Sequence, residues 1–308
     1  MKRVTAPELN LAMGVALGLL VAGSFGFVTE TRNQNNRNNT TDIYTAPKLP
    51  EQLAFAGEKV PLEQWDVKER LDREVLINHS NRGNILFLMK SANRYFPIIT
   101  ERLKANGVPE DFKYLCIAES NLVPSAISSV GAASFWQFMS STAPGYGLEI
   151  NSNVDRRYDL IKATDAACAY LKSAYQKFGS WTAAAASYNC GQGGYNGQAT
   201  YQGTKYYYDL LLPEETNRYI FRILAFKHLL ENAESMGFQL EEGEKYGVIP
   251  FREVTVSSSI SNLAAFAKEQ GTTYKMLRQM NPWLRGRSLP VSGGKSYTIK
   301  LPPADKSF

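Results

Sequence analysis

The sequence predicts a mainly α-helical protein that ends in a small α+β module. Three observations carry this. Between about residues 63 and 240, apolar residues recur at intervals of three and four, the period of a helix face. Asn, Gly and Pro punctuate those runs. From about Gly243 the composition shifts, and "REVTV" and "SYTIKL" frame two short helical stretches in a βααβ order. The 308 residues suffice for two domains at ~100–200 residues each, and a hydrophobic fraction of 44% is enough to build their cores. The expected organisation is 1–28, an export signal or membrane anchor; 29–62, an Asn-rich linker; 63–240, the helical domain; and 248–308, the α+β module.

Lys2 and Arg3 precede Leu9–Val28, an uncharged apolar run. A basic start before such a run reads as an export signal. Its length also approaches the ~20 residues that span a bilayer, so a retained anchor is the other reading. No cysteine follows the run, which excludes lipidation there. Thr29–Pro50 is polar and Asn-rich, the composition of a disordered tether. Export is the expectation, with cleavage undecided and a membrane contact if the N-terminal segment is kept.

The helical region opens with "DREVLINHSNRGNILFLMKSANRYFPIITERLKANGVP", helices joined by Asn/Gly turns, the last stopping at Gly107. Pro109 suits the first turn of the next helix, and Glu110 and Asp111 suit its positive end. Phe112, Leu115 and Cys116 stand seven, four and three residues before Glu119. Those are the intervals of one helical face, so Glu119 extends an apolar stripe. Pro124 restricts Val123 and should end the helix just before it. A carboxyl group drawn out of water holds its proton more tightly, which suits it to donate that proton near neutral pH. The alternative is a slightly rotated helix with Glu119 paired to an arginine.

Val130–Leu148 begins with small residues and continues into Phe135, Trp136, Phe138 and Met139, expected on a short helix that Pro144–Gly145 ends. Gln137 interrupts this apolar cluster with an amide that either faces a polar ligand or lies at the surface. Asp159–Gly194 reads as two helices. Ala166, Ala167, Tyr170, Leu171 and Ala174 share a face of the first; the second carries "WTAAAAS" and ends at Tyr188–Asn189 before glycines. Thr216 is expected to cap a long helix whose stripe is Tyr219, Ile223, Phe226 and Leu230. Tyr195, Tyr201 and Tyr206–Tyr208 offer apolar faces with polar tips, suited to sugar rings or to a core.

The net charge of +5 is mild, and no dense Lys/Arg block with interleaved aromatics occurs, so nucleic acid is not an expected partner. A basic balance suits an anionic envelope polymer or a membrane surface. Cys116, Cys168 and Cys190 fit no zinc or CxxC spacing, and His79 and His228 form no HExxH motif. Neither metal nor cofactor is expected. Two cysteines could pair in an oxidising compartment, while Cys116 and Cys168 also read as small buried residues.

Three segments in order, "AESNLVPSAISSVGAASFWQFMSSTA", "ASYNCGQGG" and "LLPEETNRYI", resemble the catalytic domain of lytic murein transglycosylases across roughly Arg70–Glu234. The resemblance implies a lysozyme-like helical domain of the SLT, or goose-type-lysozyme-like, class with a groove for peptidoglycan glycan strands. The family's sole acid/base glutamate falls on Glu119. Its loop serine falls on Ser128, its Gln-x-Met on Gln137 and Met139, and its Tyr-Asn pair on Tyr188 and Asn189. Its Glu-Thr-x-x-Tyr motif falls on Glu215, Thr216 and Tyr219. Two departures stand out: Ser134–Phe135 replaces the usual Gly-Leu before Trp-Gln, and Cys190 follows Tyr-Asn. The C-terminal module resembles a LysM repeat, a glycan-binding fold. "TTYKMLRQMNPWL" matches its second half, while Ser257–Ile260 replaces the usual Gly-Asp-Thr-Leu start.

The resemblance implies non-hydrolytic cleavage of the β-1,4 bond between N-acetylmuramic acid and N-acetylglucosamine, leaving 1,6-anhydro-muramic ends. Glycosidases usually flank the bond with two carboxylates, and Asp155 and Asp159 are the candidates for a second one. One carboxylate suffices if the sugar supplies its own nucleophile. The alternatives are a hydrolytic muramidase using the same Glu119 and a non-catalytic peptidoglycan-binding protein.

Overall fold

The computed structural model describes residues 45–304; the apolar N-terminal segment and residues 29–44 of the linker lie outside the described residues. Among the described residues no helix is long and apolar enough to cross a membrane.

The helical part begins earlier than the sequence suggests. Residues 51–62, assigned to the linker, contain a hairpin of strands β1 (Ala54–Phe55) and β2 (Glu58–Lys59). Phe55 and Val60 are buried in the main core. Two-residue strands show no alternation, so this segment carried no periodic signal.

Helices α1 (Trp65–Ser80) and α2 (Arg82–Ala105) follow, divided at Asn81, whose side chain accepts from the Asn84 backbone. Helix α3 (Phe112–Ser120) lies inside the bundle, with Phe112, Leu115, Cys116 and Ile117 wholly buried. It stops at Asn121 in the left-handed region, φ 50°, three residues before the proline expected to end it. Helices α4 (Leu160–Phe178), α5 (Trp181–Gln202) and α6 (Glu214–Glu231) complete the bundle. Asp159 caps α4 through the Lys162 backbone and Ser180 caps α5 through that of Ala183. Glu58 of the hairpin adds to the α5 cap, accepting from the Trp181 and Thr182 backbones at 2.6 and 2.9 Å and from both nearby hydroxyls.

Several local expectations change. Phe135–Met139 forms no helix: Ser134 to Gln137 make a turn closed by a bridge between Ala133 and Phe138. Pro144–Gly145 lies within a short 3-10 helix, Ala143–Tyr146, instead of ending one. Helix α5 runs past Tyr188–Asn189 and kinks at Gly191 (φ 76°, ψ 149°), a conformation open to glycine. Thr216 caps nothing, because α6 starts at Glu214 directly after Pro213. The cysteines are free, with Cys116 and Cys168 buried. Tyr195, Tyr207 and Tyr208 belong to the core, whereas Tyr201 and Tyr206 are exposed.

The C-terminal module pairs β3 (Arg252–Val256) with β4 (Tyr297–Leu301) antiparallel, Arg252 opposite Leu301 and Val256 opposite Tyr297. Helices α7 (Leu263–Glu269) and α8 (Tyr274–Met280) lie between them in sequence. Its small core of Leu263, Leu277, Leu284 and Ile299 also takes in Ala133, Val154 and Tyr158 from the helical part.

Candidate active site

The buried face of α3 fixes where its last turn presents Glu119. The side chain is partly exposed at that end, at the edge of the core. From α6, the buried Tyr219 donates its hydroxyl to Glu119 Oε1. Burial raises the Glu119 carboxyl to about 7; the Tyr219 hydrogen bond and the Arg222 charge pull it back, and Glu215 pushes it up. Burial, and then the neighbouring Glu119 charge, push the Tyr219 phenol well above its ordinary value, so it remains a neutral donor.

The chain after α3 folds back onto the last turns of that helix. Ser120 Oγ donates to the Phe135 carbonyl at 3.0 Å, and Cys116 Sγ donates to the same oxygen. Trp136 is wholly buried and its indole N–H donates to Thr164 Oγ1 at 2.9 Å. Phe135 and Phe138 are buried in the same core, so the turn is anchored by three aromatic side chains. Ser128 Oγ accepts from the Ala132 backbone at 3.0 Å, which closes the preceding loop. Gln137 Nε2 donates to the Ser134 carbonyl at 2.7 Å, while its Oε1 accepts from no group among the described residues. Met139 is partly buried just beyond the turn.

Tyr188 approaches from α5. Its hydroxyl donates to the Trp136 carbonyl at 2.8 Å, and its ring packs against Trp136, Phe138 and Tyr170. Burial, and then the Glu119 charge, hold its phenol well above the ordinary value. Asn189 Oδ1 accepts from the Thr216 hydroxyl at 2.8 Å, the use to which Thr216 is put in place of a cap.

The structure thus gathers Glu119, Tyr219, Tyr188 and the Gln137 turn. Ser128 and Met139 sit on the same loop, and Asn189 joins through α6. Glu215 is exposed and paired with Arg222 at 3.0 Å, so it reaches Glu119 as a charge. Asp155 and Asp159, the candidates for a second carboxylate, are both occupied. Asp155 is buried in a bidentate pair with Arg157. Asp159 binds Arg156 at 2.7 Å and caps α4. Sequence reading missed Arg222, although it lies three residues after Tyr219 and seven after Glu215, on the same helical face. It also missed Arg157, which no spacing singles out. Cavities of about 830 Å³ and 370 Å³ lie at the hairpin and at the start of α6.

Two family descriptions match the chain: "Transglycosylase SLT domain" over residues 96–210 and "Soluble lytic transglycosylase C-terminal LysM-like domain" over 252–305. Membrane-bound lytic murein transglycosylase D from two Escherichia coli strains is 29% identical over 262 residues, covering 82% of this chain and 56% of the relative. The chain thus spans little more than half the length of those curated relatives. The crystal structure of an inactive variant of the lytic transglycosylase Slt from Pseudomonas aeruginosa is similar at a TM-score of 0.35 and 20% identity, over 49% of this chain and 26% of that one. Residues 96–210 thus match a transglycosylase SLT domain and 252–305 a LysM-like domain of the soluble lytic transglycosylase type, and over 82% of its length the chain is similar to a lytic murein transglycosylase.

Proposed function

We propose that this protein is a peptidoglycan lytic transglycosylase that cleaves the bond between N-acetylmuramic acid and N-acetylglucosamine without consuming water. The observation that carries the reading is the Glu119 carboxyl, kept protonated to about pH 7 by burial, held by the Tyr219 hydroxyl and close enough to Tyr188 for its charge to act on that phenol. Asp155 and Asp159 are tied up in ion pairs, which favours a mechanism with one acid/base over one with two carboxylates.

Protonated Glu119 donates its proton to the glycosidic oxygen, and the bond from that oxygen to the muramic C1 breaks. The muramic acetamido oxygen attacks C1 and takes up the positive charge. Glu119, now a carboxylate, removes the proton of the muramic C6 hydroxyl. That oxygen attacks C1, displaces the acetamido oxygen and closes the anhydro ring. Both reacting groups belong to one sugar, so part of the entropic barrier is absent. The Tyr219 hydroxyl stabilises the carboxylate form between the two proton transfers. Gln137 Oε1 is free to accept from an acetamido N–H. Ser128 and Asn189 contribute polar edges to the groove; Met139 and Tyr188 contribute apolar surface.

The reading places the protein in the periplasm, with residues 1–28 as export signal or anchor. Mass spectrometry of sacculi digested by the full chain is the test. Anhydro-muramic ends are expected, and their loss in Glu119→Gln. Reducing muramic ends would indicate hydrolysis, and undiminished digestion by Glu119→Gln would remove the catalytic assignment.

A further inference from the structure

The proposed chemistry leaves Arg157 unused, yet its side chain is fully engaged. It is 9% exposed and its partner Asp155 6%. Nε and Nη2 donate to both Asp155 oxygens, while Nη1 donates to the carbonyl oxygens of Gly131 at 2.9 Å and Phe138 at 3.0 Å. A buried ion pair adds little net stability, because desolvation offsets the attraction. What the planar guanidinium adds is geometry: it fixes several acceptors at once. Gly131 and Phe138 bracket the turn that carries Gln137, with Met139 next along the chain.

The C-terminal module braces the same ion pair. The Asp155 backbone N–H donates to the Trp283 carbonyl at 2.8 Å. The adjacent Arg156 stacks 3.7 Å over the Trp283 ring. The Asn153 carbonyl accepts from the Arg285 backbone at 2.7 Å, and its amide donates to Ser288 O and Oγ at 3.0 and 3.1 Å. Ala133, inside the bracketed segment, packs in the module's own core. Arg157 and the module therefore hold one loop from two sides.

We infer that Arg157 is a positioning residue for the glycan strand: by fixing Gly131 and Phe138 it keeps Gln137 and Met139 in register with Glu119, and residues 153–156 pass the C-terminal module's hold to that loop. The inference rests on the transglycosylase reading and extends it from the acid to the part of the groove that seats the sugar.

The test uses the full chain throughout. Affinity for soluble murein glycan strands is measured in the Glu119→Gln background, with and without Arg157→Ala; kcat and KM are measured with Glu119 intact. Arg157→Ala is expected to weaken strand binding and raise KM about ten-fold (~1.4 kcal/mol). Its kcat should change less than about three-fold. The alkaline limb of the pH profile should stay in place, and Arg157→Lys should recover part of the affinity. A folded Arg157→Ala variant with unchanged affinity and KM overturns the inference. So does a fall in kcat at constant KM, or a displaced pH limb. If Arg157→Ala does not fold, Asn153→Ala decides in its place: a raised KM supports the inference and an unchanged one overturns it. A chain that binds strands in an Arg157-dependent way without cleaving them removes the transglycosylase reading alone.

Discussion

Replacing Glu119 with Gln should make the protein more stable above neutral pH, by an amount set by the site itself. In the folded chain this carboxyl keeps its proton to about pH 7, against an ordinary 4.5, chiefly because of burial. Between those values the folded state holds a proton that the unfolded state has lost, so stability falls as pH rises through the window. At 1.36 kcal/mol per tenfold change, the full shift corresponds to about 3 kcal/mol. Partial exposure of the side chain reduces this to about 2 kcal/mol. Glutamine does not ionise, and its carbonyl still accepts from Tyr219. The variant therefore escapes the loss while keeping the contact. Thermal unfolding of parent and variant at several pH values reads this directly. The gap in Tm should widen by roughly 4–8 °C between pH 4.5 and 7.5, at ~2–4 °C per kcal/mol for a chain of this size. A gap independent of pH, or one that narrows, would refute the argument that burial holds this proton. Murein digestion by the parent should decline over the same range, as the proton-donating form disappears.

Tyr219→Phe removes the hydroxyl that lowers the Glu119 carboxyl, so the alkaline limb of the murein pH profile should move to higher pH. Glu58→Gln takes the charge from a side chain that accepts four hydrogen bonds at the start of α5, and should cost about 2 kcal/mol in urea unfolding. Thr164→Val leaves the Trp136 indole N–H buried without its acceptor, at a cost of about 1–3 kcal/mol by the same measurement.

Much of the site was legible because its central element is a regular helix. The spacing of Phe112, Leu115, Cys116 and Glu119 follows the period of α3, and no tertiary knowledge is needed to place them on one face. The turn at Ser134–Gln137 was not legible for the opposite reason. Its aromatics mimic a helical cluster, but Ser134 and Gln137 take left-handed backbone angles, which side-chain pattern does not encode for residues other than glycine. Asp155 and Asp159 looked available since their partners, Arg157 and Arg156, are local but conformation-dependent. The hairpin that caps α5 was invisible for its shortness, though its Glu58 holds the first turn of the helix that carries Tyr188 and Asn189.

The left-handed residues lead to one further consequence. Five residues other than glycine have positive φ among those described, and four of them, Asn121, Leu122, Ser134 and Gln137, lie between the end of α3 and the site turn. Each carries strain of roughly 1–2 kcal/mol. The strain is borne by contacts outside the loop: Trp136 in the core, Arg157 on the carbonyls, and Ser120 on Phe135. Ser134 is the costliest member, wholly buried at φ 63° with its hydroxyl making no hydrogen bond. Ser134→Gly relieves the backbone and deletes the unpaired hydroxyl, together worth about 2 kcal/mol or more. Against this stand ~0.5–1 kcal/mol of extra chain entropy in the unfolded state and a cavity smaller than a methanol molecule. The variant should gain about 1 kcal/mol in chemical denaturation, with murein digestion retained because the Gln137 amide bonds to the backbone of residue 134 and not to its side chain. A loss of stability would mean that the serine hydroxyl is satisfied in solution and that the turn owes its shape to that bond.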